Sequence, residues 1–264
     1  MDLQLKNKKA FISGSTAGIG YAIAQSLARE GAAVIINGRT QQAVAEAVRQ
    51  LQASVPGAVV TGIPADFSNG EEVTSLINQL PEIDILINNV GIFEPKAFTN
   101  ITDADWFRFF EVNVMSGVRL SRHVFSGMIN KNWGRIIFIS SESAIFIPDE
   151  MIHYGMTKTA QLAISRGLAE LTKGTGVTVN SVLPGPTRSR GVGDFIANLA
   201  KQEKKTEAEM EAVFFKDFRP TSLLQRFASP DEVAHMVTYI ASPLSSATNG
   251  ATLRVEGGLL KNAF

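Results

Sequence analysis

Ser13-Gly14-Ser15-Thr16-Ala17-Gly18-Ile19-Gly20 decides how this chain folds, because an apolar run of strand length (residues 9–13) leads into it and a helical pattern (19–30) leaves it. Three glycines thus sit where a strand turns into a helix N-terminus. With no side chains in the way, an anion can approach the backbone N–H groups, and the aligned peptide dipoles favour its charge. The spacing is G-x-x-x-G-x-G rather than the commoner G-x-G-x-x-G, yet the strand before and the helix after point to a pyrophosphate-binding turn. Gly14, Ser15, Thr16, Gly18, Ile19 and Gly20 are its candidate dinucleotide contacts.

Outward from this turn the same alternation repeats. Strands are read at 9–13, 33–37, 59–63, 83–87, 134–140, 177–183 and 252–255, and helices at 19–30, 41–53, 70–79, 103–131, 150–173 and 230–241. Several strands are apolar almost throughout, as strands covered by helices on both faces must be. The fold class is α/β, a Rossmann-type doubly wound parallel sheet of seven strands flanked by helices on both faces. No repeat, linker or low-complexity tract marks a boundary, so residues 1–264 are read as a single domain. Residues 186–224 interrupt the alternation with a charged run at 201–211 and with Phe195, Phe214, Phe215 and Phe218, and are read as an inserted lid.

Composition narrows the function. With 264 residues, 45% of them hydrophobic, the chain can bury a substantial core. Twenty-five basic residues balance 25 acidic ones, so there is no cationic surplus for nucleic acid or an anionic membrane surface. The absence of cysteine excludes disulfides, thiolate nucleophiles and Cys-based zinc sites, and three histidines leave little for a metal. No metal is expected. Neither a signal peptide nor a bilayer-length apolar run is visible, so the expected location is cytoplasmic. Asn100-Ile101-Thr102 matches a glycosylation acceptor but is read as a loop or helix cap.

The end of the second strand selects among dinucleotides, since an acidic residue there would bond the ribose hydroxyls and repel a 2′-phosphate. Ile36-Asn37-Gly38-Arg39-Thr40 has no carboxylate, and Arg39 offers a guanidinium fork, so NADP(H) is favoured over NAD(H). Asp66, beyond the third strand, is placed to accept from the adenine amino group. After the fourth strand, Asn88-Asn89-Val90-Gly91 brings Asn89 and Gly91 to the carboxyl edge of the sheet, where open α/β sheets bind ligands. Ser141 follows the fifth strand, and Tyr154 and Lys158 lie one helical turn apart on one face. An ammonium beside a phenol favours the phenolate and lowers a pKa that is ordinarily near ~10. Tyr-x-x-x-Lys alone is weak. Its conjunction with the glycine turn, the Asn-rich segment and Ser141, in this order, is not.

These residues resemble the short-chain dehydrogenase/reductase family, including its 3-oxoacyl-[acyl-carrier-protein] reductase-like members. The likeness spans nearly the whole chain and extends to Asn113, to Asn180-Ser181-Val182-Leu183-Pro184-Gly185 and to Glu256-Gly257-Gly258. It implies that Tyr154 is the acid/base, that Ser141 orients the carbonyl, and that Lys158 tunes Tyr154 and binds the nicotinamide ribose. It implies that Asn113 holds a water in a proton relay, and that Pro184, Gly185 and Thr187 contact the nicotinamide. Two departures stand out: Val90 replaces the family's usual alanine, and Thr187 lies closer to Pro184-Gly185 than in many members.

The reaction so implied is hydride transfer between NADP(H) and a carbonyl or alcohol. A serine hydrolase is disfavoured, because Gly14-Ser15-Thr16-Ala17-Gly18 has threonine where a nucleophile elbow needs serine, and His153 points to another helix face than Tyr154. A catalytically silent dinucleotide sensor or structural protein of the same fold is the alternative, against which the Ser141, Tyr154 and Lys158 set speaks. Ile92, Phe93, Glu94, residues 143–147 and the insert are expected to line a mostly apolar pocket for a medium-sized lipophilic substrate, with Glu94 and Glu142 either admitting a cationic or hydroxylated group or facing water. Arg122, Arg188 and Arg190 are too scattered to argue for a carrier-protein dock. Met115, Val118, Met156, Ala160 and Ile164 on the helices carrying Asn113 and Tyr154 imply, with the family likeness, a homotetramer or homodimer, unless they only cover the sheet.

Overall fold

The computed structural model describes residues 2–263, except for the side chains of Arg190, Asp194 and Phe195. The lid reading that used Phe195 therefore falls, for that side chain, outside the described residues. Strands β1 (Lys9–Ile12), β2 (Ala33–Gly38), β3 (Val60–Pro64), β4 (Ile85–Asn88), β5 (Gly134–Ile139), β6 (Val177–Pro184) and β7 (Thr252–Val255) form one parallel sheet in the order β3-β2-β1-β4-β5-β6-β7. The chain winds outward from β1 to β3, then returns to place β4 against the other edge of β1, in register Phe11 to Leu86. The connections leaving β1 and β4 thus diverge to opposite sides, and a cleft opens at their carboxyl ends.

The apolar strands are explained by where their alternate residues go. Ala10, Ile12, Ile85 and Ile87 enter one core, against Ile23 and Leu27 of α1 (Gly18–Arg29) and Val233 and Val237 of α9 (Pro230–Ala241). Phe11, Leu86, Ile136 and Phe138 enter the opposite core, against Val73 and Leu76 of α3 (Gly70–Gln79) and Leu120 and Val124 of α5 (Ser116–Asn130). Each face buries its own set, so the central strands read as nearly continuous apolar runs with polar residues mainly toward their ends. Helix α2 (Gln41–Ser54) links β2 to β3, and α6 (Ile152–Glu170) precedes β6.

Two expectations need correction. The long helix read at 103–131 is α4 (Asp103–Phe110) and α5 separated by a π-helical turn at Glu111–Met115, which carries Asn113. No local residue pattern announces that turn. The insert forms α7 (Arg190–Gln202), α8 (Glu207–Val213) and a further π turn at Phe214–Phe218. It has its own small core, in which Ile196, Met210, Phe215 and Phe227 pack, with ring centroids of Phe215 and Phe227 at 5.1 Å. It also closes later than residue 224: Thr187 pairs with Ala228, whose N–H donates to the Pro186 carbonyl at 2.9 Å. Both ends of the insert therefore meet at the cleft.

Among the described residues no helix is long and apolar enough to cross a membrane, and no group of three or more His, Asp or Glu side chains could hold a metal.

Candidate active site

The cleft beyond β1, β4, β5 and β6 has a volume of about 950 Å³. Its wall brings together most residues that the sequence singled out: Gly14, Gly18, Ile19 and Gly20 from the turn, Arg39 and Asp66 beyond β2 and β3, and Asn89 and Gly91 beyond β4. Ser141, Tyr154 and Lys158 stand on the far side, with Pro184, Gly185 and Thr187 beyond β6. Ser15, Thr16 and Asn113 are not on the wall. Ser15 is buried, donating its hydroxyl to the Ile12 carbonyl at 2.7 Å and accepting the Asn37 N–H at 2.9 Å. Thr16 instead covers Gly38, where a Cβ would lie 2.4 Å from Thr16 Cγ2.

The turn is held by residues that do not belong to it. Gly14 and Gly18 adopt φ of +62° and +58°, conformations that favour glycine. The Gly14 N–H donates to Asn37 Oδ1 at 3.0 Å, and Asn37 Nδ2 donates to the Ile63 carbonyl at 3.0 Å, so one buried amide ties the turn to β3. Sequence reading passed over Asn37; a polar residue ending an otherwise apolar strand was the available signal. Asn89 has a similar task, its Nδ2 donating to the carbonyls of Ser13 at 3.0 Å and Gly14 at 2.8 Å. Val90, the departure from the usual alanine, stands against the turn, its Cγ2 2.9 Å from where a Gly14 Cβ would be. Asp66 accepts from the Ser68 N–H at 2.9 Å, which holds its carboxyl below the usual range, with a smaller contribution from Arg39.

Across the cleft, Ser140 and Thr159 fasten the end of β5 and the turn after it to α6. The Ser140 hydroxyl donates to the Lys158 carbonyl at 2.8 Å, and Thr159 donates to the Ala144 carbonyl at 2.8 Å. Ser141 caps the short turn Glu142–Ala144, accepting the Ser143 N–H at 3.1 Å while its hydroxyl donates to the Glu142 carboxyl. Tyr154 projects beside it from α6, edge-on to Phe93 with centroids 6.4 Å apart. Lys158 Nζ lies 5.6 Å from the centre of the Tyr154 ring and donates to the Ile139 carbonyl at 3.0 Å.

The expected lowering of the Tyr154 pKa is not what the chain alone produces. Burial raises it, and the neighbouring Glu142 carboxylate raises it further, against a smaller opposing effect of the Ser141 hydroxyl. Burial likewise disfavours charge on Lys158, whose pKa drops from 10.5 to about 8, with Glu142 pulling the other way. The Glu142 carboxyl is itself pushed up by burial, opposed by Ser141 and Arg219.

Asn113 sits in the π turn between α4 and α5. Its side chain is bonded to protein, Oδ1 accepting the Ile92 N–H at 2.8 Å and Nδ2 donating to Thr157 Oγ1 at 3.0 Å. Its main-chain carbonyl, freed by the π turn, accepts from Gln161 Nε2 at 2.6 Å. Sequence reading missed Gln161. His153 is buried between Trp106 and Phe109, and burial lowers its pKa. Glu94 stays half-exposed at the rim, paired with Arg108 at 2.7 Å.

The fold and this arrangement are those of the short-chain dehydrogenase/reductase family, and the chain belongs to it. A family model described as enoyl-(acyl carrier protein) reductase matches residues 14–260. The uncharacterized oxidoreductase YvaG of Bacillus subtilis (strain 168) is 52% identical over 264 residues, covering 100% of both chains. The 3-oxoacyl-[acyl-carrier-protein] reductase FabG of Aquifex aeolicus (strain VF5) is 32% identical, covering 98% of this chain and 100% of its own. Among solved structures, L-sorbose reductase from Gluconobacter frateurii, complexed with NADPH and L-sorbose, aligns with a TM-score of 0.93 at 28% identity, over 99% of this chain and 100% of that one. The chain is accordingly an oxidoreductase that uses a nicotinamide dinucleotide.

Proposed function

We propose that this protein reduces a lipophilic, medium-sized carbonyl compound with NADPH, or runs the reverse oxidation. The observation that carries the reading is the convergence of Ser141, Tyr154 and Lys158 on one cleft wall, opposite the glycine turn. The residues present suit the cofactor: Gly14 and Gly18 leave backbone N–H groups approachable for a pyrophosphate, and Arg39 beside Gly38 suits a 2′-phosphate. Asn89 serves it indirectly, by holding the turn. Pro184, Gly185 and Thr187 lie where the nicotinamide end would rest.

Bound there, NADPH supplies the hydride. The chain supplies the proton and the geometry. Tyr154, whose raised pKa keeps its hydroxyl protonated around neutrality, donates a proton to the carbonyl oxygen as charge develops there. Ser141 adds a second hydrogen bond to that oxygen. Lys158 supports the phenolate left on Tyr154 and offers its ammonium to the nicotinamide ribose. Proton donation of this kind contributes typically ~10²–10⁴ in rate, and the remainder comes from positioning. The insert, meeting the cleft at Thr187 and Ala228, serves as the lid of what we take to be one domain. Half-buried Met115, Val118, Met156 and Ile164 on the helices behind the site are the surface on which copies of the chain would associate.

A screen of ketones and aldehydes followed by NADPH absorbance tests this reading. Turnover that disappears in Tyr154→Phe while NADPH still binds is the expected result. A fully active Tyr154→Phe enzyme would overturn it, and NADPH binding without turnover of any carbonyl would favour the silent sensor.

A further inference from the structure

One ion pair in the cleft has no task in hydride transfer. Glu142 follows Ser141 directly, and Arg219 ends the π turn of the insert, so the pair joins the end of β5 to the lid. Both side chains are 8% exposed and line the same cleft as Ser141 and Tyr154. No hydrogen bond closes the pair. Arg219 Nε stands 3.7 Å from Glu142 Oε1, and this buried donor has no hydrogen-bond partner. The other guanidinium nitrogens are directed elsewhere, Nη1 donating to the Phe218 carbonyl at 2.8 Å and Nη2 lying 3.6 Å from Glu150 Oε1. A buried charged donor without an acceptor is costly, and one on a pocket wall calls for an explanation.

The carboxyl beside it has a second consequence. Glu142 takes the hydroxyl proton of Ser141, while the Ser141 oxygen accepts from Ser143. A serine has one proton to donate. Held this way, Ser141 has none for a carbonyl oxygen.

We propose that Glu142 and Arg219 form a hydroxyl-recognition subsite, and that the substrate is an apolar ketone carrying a hydroxyl on the carbon next to the carbonyl; the subsite rests on the hydride-transfer reading. A hydroxyl oxygen can bridge two atoms at this separation from one side of the line joining them, donating to Glu142 and accepting from Arg219 Nε, once a small shift of the Arg219 side chain uncovers that buried nitrogen. Glu142 then has a donor in place of Ser141, and Ser141 turns its proton toward the carbonyl oxygen beside Tyr154. A ketone lacking the hydroxyl meets an occupied serine and an unpaired guanidinium N–H. An ammonium in that position is repelled by Arg219, and a carboxylate by Glu142. The apolar body of the substrate rests against Phe93, Phe214 and Phe218.

The test uses the full-length protein with NADPH and two aryl ketones, 2-hydroxyacetophenone and 2-methoxyacetophenone, which share ring, carbonyl and α-oxygen but differ in the hydroxyl proton. The wild type should favour the hydroxy ketone in kcat/KM by at least about tenfold. In Glu142→Ala that ratio should collapse to within about threefold, and in the isosteric Glu142→Gln, which preserves packing, it should fall to an intermediate value. Equal kcat/KM for the two ketones in the wild type, or a ratio unchanged in both variants, overturns the subsite and leaves the hydride-transfer reading standing. Failure of both aryl ketones while another carbonyl of the screen oxidises NADPH overturns the subsite alone, and failure of every carbonyl in the screen overturns both.

Discussion

Gln161 donates its side-chain amide to the main-chain carbonyl of Asn113 at 2.6 Å, and its Oε1 faces Lys158 Nζ at 3.4 Å. One neutral side chain thus connects the buried ammonium to the π turn of the neighbouring helix. An amide can hold such a chain of hydrogen bonds in place, but it does not readily pass a proton along it. Gln161 is therefore a positioning residue.

Replacing it tests that role. Gln161→Leu leaves the Asn113 carbonyl and the Lys158 ammonium each short of a buried partner, and should cost about 1–3 kcal/mol of stability. Because Lys158 loses an acceptor that favours its charge, the alkaline fall of kcat/KM should also move to lower pH. Lost stability with an unmoved pH profile would show that Gln161 only packs.

The Lys158 pKa sets the direction of the wild-type profile. A lysine at about 8 rather than 10.5 loses its charge as pH rises through that value, so kcat/KM for reduction should be full well below pH 8, half-maximal near it and lower above it. The carboxylate of Glu142 raises that pKa, so Glu142→Gln should shift the decline to lower pH. A profile flat to pH 10 in the wild type would contradict the assignment of a needed ammonium to Lys158.

The proposed preference for NADPH rests on Arg39. Loss of charge-assisted hydrogen bonds to a phosphate is worth about 1.5–3 kcal/mol, or roughly ten- to a hundredfold in affinity. Arg39→Ala should weaken NADPH binding by that factor while changing NADH binding less than about twofold. Titration of both cofactors by fluorescence checks this, and equal losses for the two would mean the guanidinium does not read the 2′-phosphate.

Asn37 holds the glycine turn from the adjacent strand. Asn37→Ala removes the acceptor of the Gly14 N–H and the donor to the Ile63 carbonyl, both in a buried setting. Stability should fall by about 2 kcal/mol or more, measured by denaturant unfolding, and dinucleotide affinity should fall with it because the turn is no longer held. Saturating NADPH should restore part of the lost stability. An unaffected dissociation constant would show that the turn keeps its shape without Asn37.

What this sequence determined by itself is whatever acts over a few residues. Alternate residues of β1 and β4 feed two opposite cores, so the strands are continuous apolar runs and were legible as such. The glycine turn and the Tyr154 and Lys158 pair were legible for the same reason, since a positive φ and a four-residue helical spacing are local properties. Tertiary structure decided the rest. Gly14 meets Asn37 across 23 residues, and Asn113 meets Gln161 across 48, through crossovers whose packing no short window contains. Arg219 reaches Glu142 only because the insert folds back onto the cleft, and the resulting burial sets the charge preferences of Tyr154, Lys158 and Glu142. Desolvation and long-range pairing depend on which surfaces the folded chain brings together, whereas propensity and periodicity depend on neighbours along the chain.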